Sequence, residues 1–170
     1  MPSENVISHL IPSTRHVVVP RTLCFVMHGD DVLVLKRALH KRIFPGKING
    51  VGGHIEQGED VAASAAREIL EETGLAVTHL WLAGVLHVGG GLGQAELLRD
   101  GSVPGVMVFV FTADAPNRDV QASGEGELLW VPLAAVDGLD WVDGDPGLLR
   151  RALEARAANR PFSLVKSFDP

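Results

Sequence analysis

The stretch GGHIEQGEDVAASAAREILEETG, residues 52–74, decides the fold. It opens on a glycine pair and closes with three glutamates, Glu68, Glu71 and Glu72, inside five residues. Between the two ends the sequence reads as a helix over residues 60–73. Asp60 stands at the N-cap position, the four alanines 62, 63, 65 and 66 raise helix propensity, and Gly74 fits the left-handed stop. At about 100° per residue the three glutamates, related as i, i+3 and i+4, fall within an arc of about 100°. Ser64 shares that face and Arg67 flanks it, while Ala62, Ala66 and Ile69 lie roughly opposite and are expected to face the core. An acidic strip is ordinarily a solvated surface. Here each like-charged pair costs about 0.2–0.5 kcal/mol, and the strip sits at the helix end where the dipole disfavours anions. Two adverse effects in one place favour a cation that reverses their sign. A set of carboxylate oxygens without sulfur or imidazole suits Mg²⁺, or Mn²⁺.

Outward from the helix, the chain alternates strands and loops. RTLCFVM and DVLVLKR flank Gly29 and Asp30, a hairpin signal. Residues 38–58 carry five glycines and a proline and read as loop, with a short strand near Gly50–Ile55. Strand-like runs follow at AVTHLWLAGVLHV and VPGVMVFVFTADA, separated by GGGLGQAELLRDGS, and then at ELLWVP. A last helix is expected from Asp145 as cap and Pro146 at its first position through GLLRRALEARAA, stopping before Pro161. Residues 1–19, with Pro2 and Pro12, read as an arm or edge element. Strands, helix, strands, helix predict an α/β domain with a mixed sheet between helices.

The chain has 170 residues, enough for one domain with a substantial core, so residues 1–170 are read as a single domain. A net charge of −6 argues against a nucleic-acid partner but not against phosphorylated small molecules, because a bound cation inverts the local field. The single cysteine, Cys24, excludes an internal disulfide. With no signal peptide and no long apolar run in the sequence, the expectation is a cytoplasmic protein with no membrane partner. Monomer and homodimer both remain open.

Gly53, Glu59, Arg67-Glu68-Ile69, Glu71-Glu72 and Gly74-Leu75, at fixed spacing over 23 residues, resemble the Nudix box, the signature of the Nudix hydrolases, at all nine specified positions. The resemblance implies an α/β/α sandwich with a mixed sheet and a loop–helix–loop box whose glutamates hold divalent cations, Mg²⁺ above all. By position, Glu68, Glu71 and Glu72 are implied as metal ligands, with the Gly53 carbonyl as a further one. Glu59 and Arg67 are implied as a pair that orients the helix. The reaction implied is attack of water on phosphorus in a nucleoside diphosphate-containing compound. Positioning and charge neutralisation supply most of that catalysis.

Outside the box, Glu125 lies five residues before Trp130, as does a loop glutamate in the oxidised-nucleotide branch of the family, and is implied as a metal ligand or general base. Asn49, in an NGxGG run similar to that of MutT-type hydrolases, is implied as a reader of a purine edge, since its amide both donates and accepts. Trp141 and Asp143, in LDWVDGDP, resemble a Trp-Asp element that contacts the base in some members. Lys36 and Arg37, ending a strand, are phosphate candidates; a solvated strand end is their ordinary reading. A proline marker of ADP-ribose hydrolases falls on Gly90, and a tyrosine marker of dinucleoside polyphosphate hydrolases falls on Gly93. The missing markers lower those two readings, while the KINGVGGHIEQGED run and the EGELLW element resemble proteins acting on 8-oxo-dGTP and related nucleoside triphosphates, which implies such a substrate, cleaved to monophosphate and pyrophosphate. ADP-ribose, nucleotide sugars and dinucleoside polyphosphates are the alternatives, and a non-catalytic nucleotide-binding module is the reading from another class.

Overall fold

The computed structural model describes residues 16–89, 104–121 and 123–167. Strands β1 (Val18–His28) and β2 (Asp31–Arg37) form the expected hairpin, turning at Gly29, which adopts φ 61°. The rest follow as β3 (Ile48–Asn49), helix α1 (Val61–Thr73), β4 (Thr78–Val88), β5 (Gly105–Asp114), β6 (Gly126–Pro132), a 3-10 segment (Leu133–Gly138), helix α2 (Gly147–Ala157) and β7 (Phe162–Lys166). The sheet runs β3-β2-β1-β5-β4-β7, with β6 paired to β2. Leu33, Leu35 and Lys36 of β2 each take one partner from β6 and one from β1 or β3, so β6 covers the opposite edge of β2. β1 with β5 and β4 with β7 are parallel and the other ladders antiparallel, which makes the sheet mixed, as expected.

Both faces of the sheet are buried. Along β1, Leu23, Phe25 and Met27 pack with Leu148, Leu149 and Ala152 of α2. The alternate residues Cys24 and Val26 pack with Ala65 and Ile69 of α1. Period-two alternation on a strand thus serves two cores, giving the α/β/α sandwich.

Several expectations shift in detail. The short strand expected near Gly50–Ile55 is β3 at Ile48–Asn49, and residues 51–54 make only isolated bridges, Cys24 with Val51 and Arg21 with His54. The glycines explain the close passage: a Cβ on Gly50 would stand 2.6 Å from the Cys24 carbonyl oxygen. Helix α2 begins at Gly147, and Asp145 Oδ1 accepts the Gly147 N–H at 2.6 Å. β7 has no counterpart in the sequence reading. Val18 and Val19 of the presumed arm belong to β1. Residues 1–15, and GGGLGQAELLRDGS from Gly90 onward with its marker positions Gly90 and Gly93, lie outside the described residues.

Helix α1 keeps its expected limits but not its expected orientation. The Asp60 side chain accepts from the Ala62 and Ala63 N–H groups at 3.0 Å, and Gly74, at φ 76°, closes the helix on Leu70 O. Its buried residues are Ser64, Ala65, Ile69 and Thr73, whereas Ala62 and Ala66 face solvent. The buried side is therefore centred between Ala65 and the glutamates rather than opposite them. Ile69 faces the core as expected, and the loop through Gly52 and Gly53 covers Glu68 and Glu72 beside it, leaving Glu71 exposed.

Candidate active site

Loop 50–54 and the last two turns of α1 meet at one edge of β1. Thr22 N donates to Gly53 O at 2.9 Å, which pins the loop to the strand. A Cβ on Gly53 would lie 2.5 Å from both oxygens of Glu68, so the carboxylate occupies the space that only glycine leaves. Gly52, at φ 147°, sends its N–H to Glu72 Oε2 at 3.1 Å. The two glycines that open the motif thus cradle one glutamate by shape and the other by a hydrogen bond.

Burial, with Glu68 and Glu125 nearby, pushes the Glu72 carboxyl up to about 7; the Gly52 N–H and the Arg37 charge act against the shift. The buried Cys24 thiol is pushed up by desolvation and by the same two box glutamates, Glu72 and Glu68, which places it next to their field. Glu71 is the outer member, with its side chain 60% exposed.

Arg67 holds the box together. Its Nε and Nη2 bind the Glu59 oxygens at 2.7 and 2.9 Å; Nη1 binds Glu68 Oε1 at 2.9 Å and Glu71 Oε2 at 3.2 Å. Nη2 also reaches the His54 carbonyl at 3.1 Å, tying the loop to the helix. The two hydrogen bonds from the guanidinium, with the Glu56 N–H, hold the Glu59 carboxyl down at about 2. Glu59 and Arg67 form the pair that the sequence implies.

Glu125 comes from the loop before β6. Its Oε1 takes the Lys41 ammonium at 2.7 Å, and its backbone carbonyl accepts the Ala38 N–H at 3.0 Å. Glu125 therefore joins the box glutamates electrostatically while being held by the 38–47 loop. Arg37 is half-buried, its Nε on Ile43 O at 3.0 Å; Lys36 is exposed and stands opposite Glu127 on β6. Lys36, Arg37, His40, Ser123, Gly126 and Glu127 line an open cleft of about 520 Å³ beside Glu125.

The base-reading candidates are more scattered. Asn49 is half-buried on β3, backbone-paired with Leu35. Asp143 Oδ2 meets Lys166 Nζ at 3.1 Å. Trp141 requires a correction: 4% exposed, it is a core residue, with its indole N–H donated to Val136 O at 2.8 Å. It anchors the 139–145 segment from below, and its parallel bridge with Ile48 explains why: the segment docks as backbone on β3. Trp130 likewise spends its indole N–H on Arg118 O, at 3.1 Å.

Sequence reading missed two cations. Arg21 is half-buried on β1, and burial and Arg37 lower its pKa while Glu68, Glu72 and Glu125 act to raise it. It reads in sequence as an ordinary strand residue, and only the isolated bridge to His54 brings it here. Lys41 lies in a loop with no local signal.

The donor set fits a hard divalent cation: carboxylate oxygens, a glycine cradle, and a buried carboxyl whose charge is raised in cost by its neighbours. Among the described residues no three such side chains already stand close enough to enclose an ion. Each glutamate is drawn to a donor of the protein: Glu68 and Glu71 to Arg67, Glu72 to Gly52, Glu125 to Lys41.

A mixed sheet between two helices, with a glycine loop laid over a glutamate-bearing helix, defines an α/β/α sandwich with a carboxylate-rich site beside β1. The chain belongs to the Nudix hydrolase family: the NUDIX domain model matches residues 18–152. It is similar to an uncharacterised Nudix hydrolase, YvcI, of Bacillus subtilis (strain 168), 31% identical over 131 residues, covering 75% of each chain. It is also similar to the oxidised purine nucleoside triphosphate hydrolase of Mus musculus, 33% identical over 124 residues and 72% of each chain. Among solved structures, a MutT protein from Bacillus halodurans superposes with a TM-score of 0.70 at 25% identity, covering 90% of this chain and 92% of that one. No helix among the described residues is long and apolar enough to cross a membrane.

Proposed function

We propose that this chain is a Mg²⁺-dependent pyrophosphohydrolase of nucleoside triphosphates, oxidised purine nucleotides among them, releasing the monophosphate and pyrophosphate by attack of water on phosphorus. The observation that carries the reading is the glycine cradle: Gly53 shaped around Glu68, and Gly52 N–H on Glu72. It presents carboxylates beside β1 where an anionic substrate alone would be repelled. The mouse relative, named for oxidised purine nucleoside triphosphates, supports the substrate class.

When bound, the divalent cation neutralises the phosphate chain and acidifies a water. Glu68, Glu71 and Glu72, the Gly53 carbonyl and Glu125 are the residues that would hold it. Glu72 can also take a proton near neutral pH, since its carboxyl lies at about 7. Arg67 and Glu59 keep α1 in register with the loop. Arg37 and Lys36 face the phosphates from the end of β2, and Asn49 and Asp143 read the base. Trp141 supports Asp143 from the core.

A panel of nucleoside triphosphates, ADP-ribose, nucleotide sugars and dinucleoside polyphosphates, assayed with Mg²⁺ in ¹⁸O water, tests this directly. The expected result is pyrophosphate release from triphosphates, with the label reporting which phosphorus is attacked. Turnover of ADP-ribose without turnover of any triphosphate would overturn the substrate class. Unchanged turnover in Glu72→Gln would overturn the metal-site reading.

A further inference from the structure

We infer that Lys41 is a positioning residue for Glu125, an ammonium that competes with the divalent cation for that carboxylate and so sets how much metal the site requires. The inference rests on the reading of Glu125 as a metal ligand. Its geometry is the 2.7 Å contact between Lys41 Nζ and Glu125 Oε1, with the two side chains 24% and 40% exposed. Such a pair is sheltered enough to persist and open enough to exchange.

Three features make this pair more than a surface contact. First, the two segments are already joined by backbone, Ala38 N–H to Glu125 O at 3.0 Å, so the ammonium is delivered to the carboxylate at little further cost in chain entropy. Second, two of the neighbouring cations are engaged elsewhere. Arg67 is spent on Glu59, Glu68 and Glu71, and Arg37 Nε is on Ile43 O. Among the described residues Lys41 makes the ion pair of Glu125. Third, Glu125 and Glu72 feel each other's charge, and two like charges favour a cation beside either of them. A lysine and a hard divalent ion then seek the same oxygen. The lysine rides on the 38–47 loop, whose Gly46 sits at φ 74° beside the cleft that Arg37 and His40 line.

The test uses the full chain and Mg²⁺ alone as probe, read by calorimetry and by the metal-induced thermal shift, with the Mg²⁺ dependence of turnover beside them. Lys41→Met is expected to tighten Mg²⁺ by about two- to fivefold, the range of a partly exposed ion pair. Lys41→Arg is expected to stay near the parent, and Glu125→Gln to weaken binding. A Lys41→Met protein that binds Mg²⁺ no tighter, while Glu125→Gln weakens it, overturns the competition and leaves the site reading standing. Unchanged binding in Glu125→Gln overturns Glu125 as a ligand and the Lys41 inference with it. Lys41→Gln serves as the same test should the methionine variant fold poorly. A purely structural lysine would lower the metal-free melting temperature without moving Mg²⁺ affinity.

Discussion

At Glu72 a carboxyl group is buried beside two others and still accepts the Gly52 N–H at 3.1 Å. With its folded pKa raised to about 7, the folded state holds the proton more tightly than the unfolded chain. Its contribution to stability is therefore full in acid and is lost as pH rises through about 7. A cation needs the deprotonated form, so the Mg²⁺-induced rise in melting temperature should grow from pH 6 to pH 8. A rise independent of pH would contradict Glu72 as a ligand. Glu59 behaves oppositely. Held down at about 2 by Arg67, it stabilises the fold above the ordinary carboxylate range and loses that contribution as pH falls towards 2. Glu59→Gln should flatten the acid limb of the stability profile, measured by melting temperature at pH 2–5. These roles were legible only in part. Helical spacing put Glu68, Glu71 and Glu72 on one face with Arg67 beside it, and the resemblance to the Nudix box implied their roles and the Glu59–Arg67 pair. Arg21 and Lys41 carry no pattern, because the chain brings them to the site through sheet and loop packing.

Helix α1 shows how far local rules reach. The Asp60 cap and the Gly74 stop follow from residue type, and the helix ends where they say. Asp60→Ala is expected to cost about 1 kcal/mol in chemical denaturation. The facing was not legible. A periodicity argument sends glutamates to water and alanines inward, yet Ser64 and Thr73 are buried and Leu70 is 52% exposed. The loop with Gly52 and Gly53 reverses the rule by supplying hydrogen bonds and room for carboxylates, neither of which can be seen from α1 alone. Gly53→Ala is the corresponding test. A methyl group 2.5 Å from the Glu68 oxygens must displace the carboxylate, so metal-dependent turnover should fall at least about tenfold, the lower end for disturbed ligand support, with little loss of helix content by circular dichroism.

Across the whole molecule, two cores share one sheet. Ile69 and Leu149 are fully buried on opposite faces. Each mutation to Ala should cost about 2–5 kcal/mol, and the double mutant should be additive within about 0.5 kcal/mol, since the sites share no packing partner cluster. A coupling well above that, in equilibrium denaturation, would mean that the sheet transmits strain between its faces. The element order through α2 and the mixed sheet were foreseeable from alternating apolar runs and turn residues; the order of strands across the sheet was not. Trp141 was misplaced because an aromatic in a loop looks free until the 3-10 segment folds its indole inward. β7 was missed because FSLVK is short and follows a proline. It pairs parallel to β4 through Gly84–Val88, and the Phe162 ring lies against Gly84, where any Cβ would collide at 2.5 Å. The family match stops at residue 152, before this strand. β7 works as the selvedge of the sheet: short, half-polar and ending in Lys166, it keeps the longer, apolar border of β4 from serving as a template for another chain. Cut after Arg160, which removes β7 with the rest of the last ten residues, the protein should self-associate in light scattering, and its solubility would then be seen to depend on how one border strand is finished.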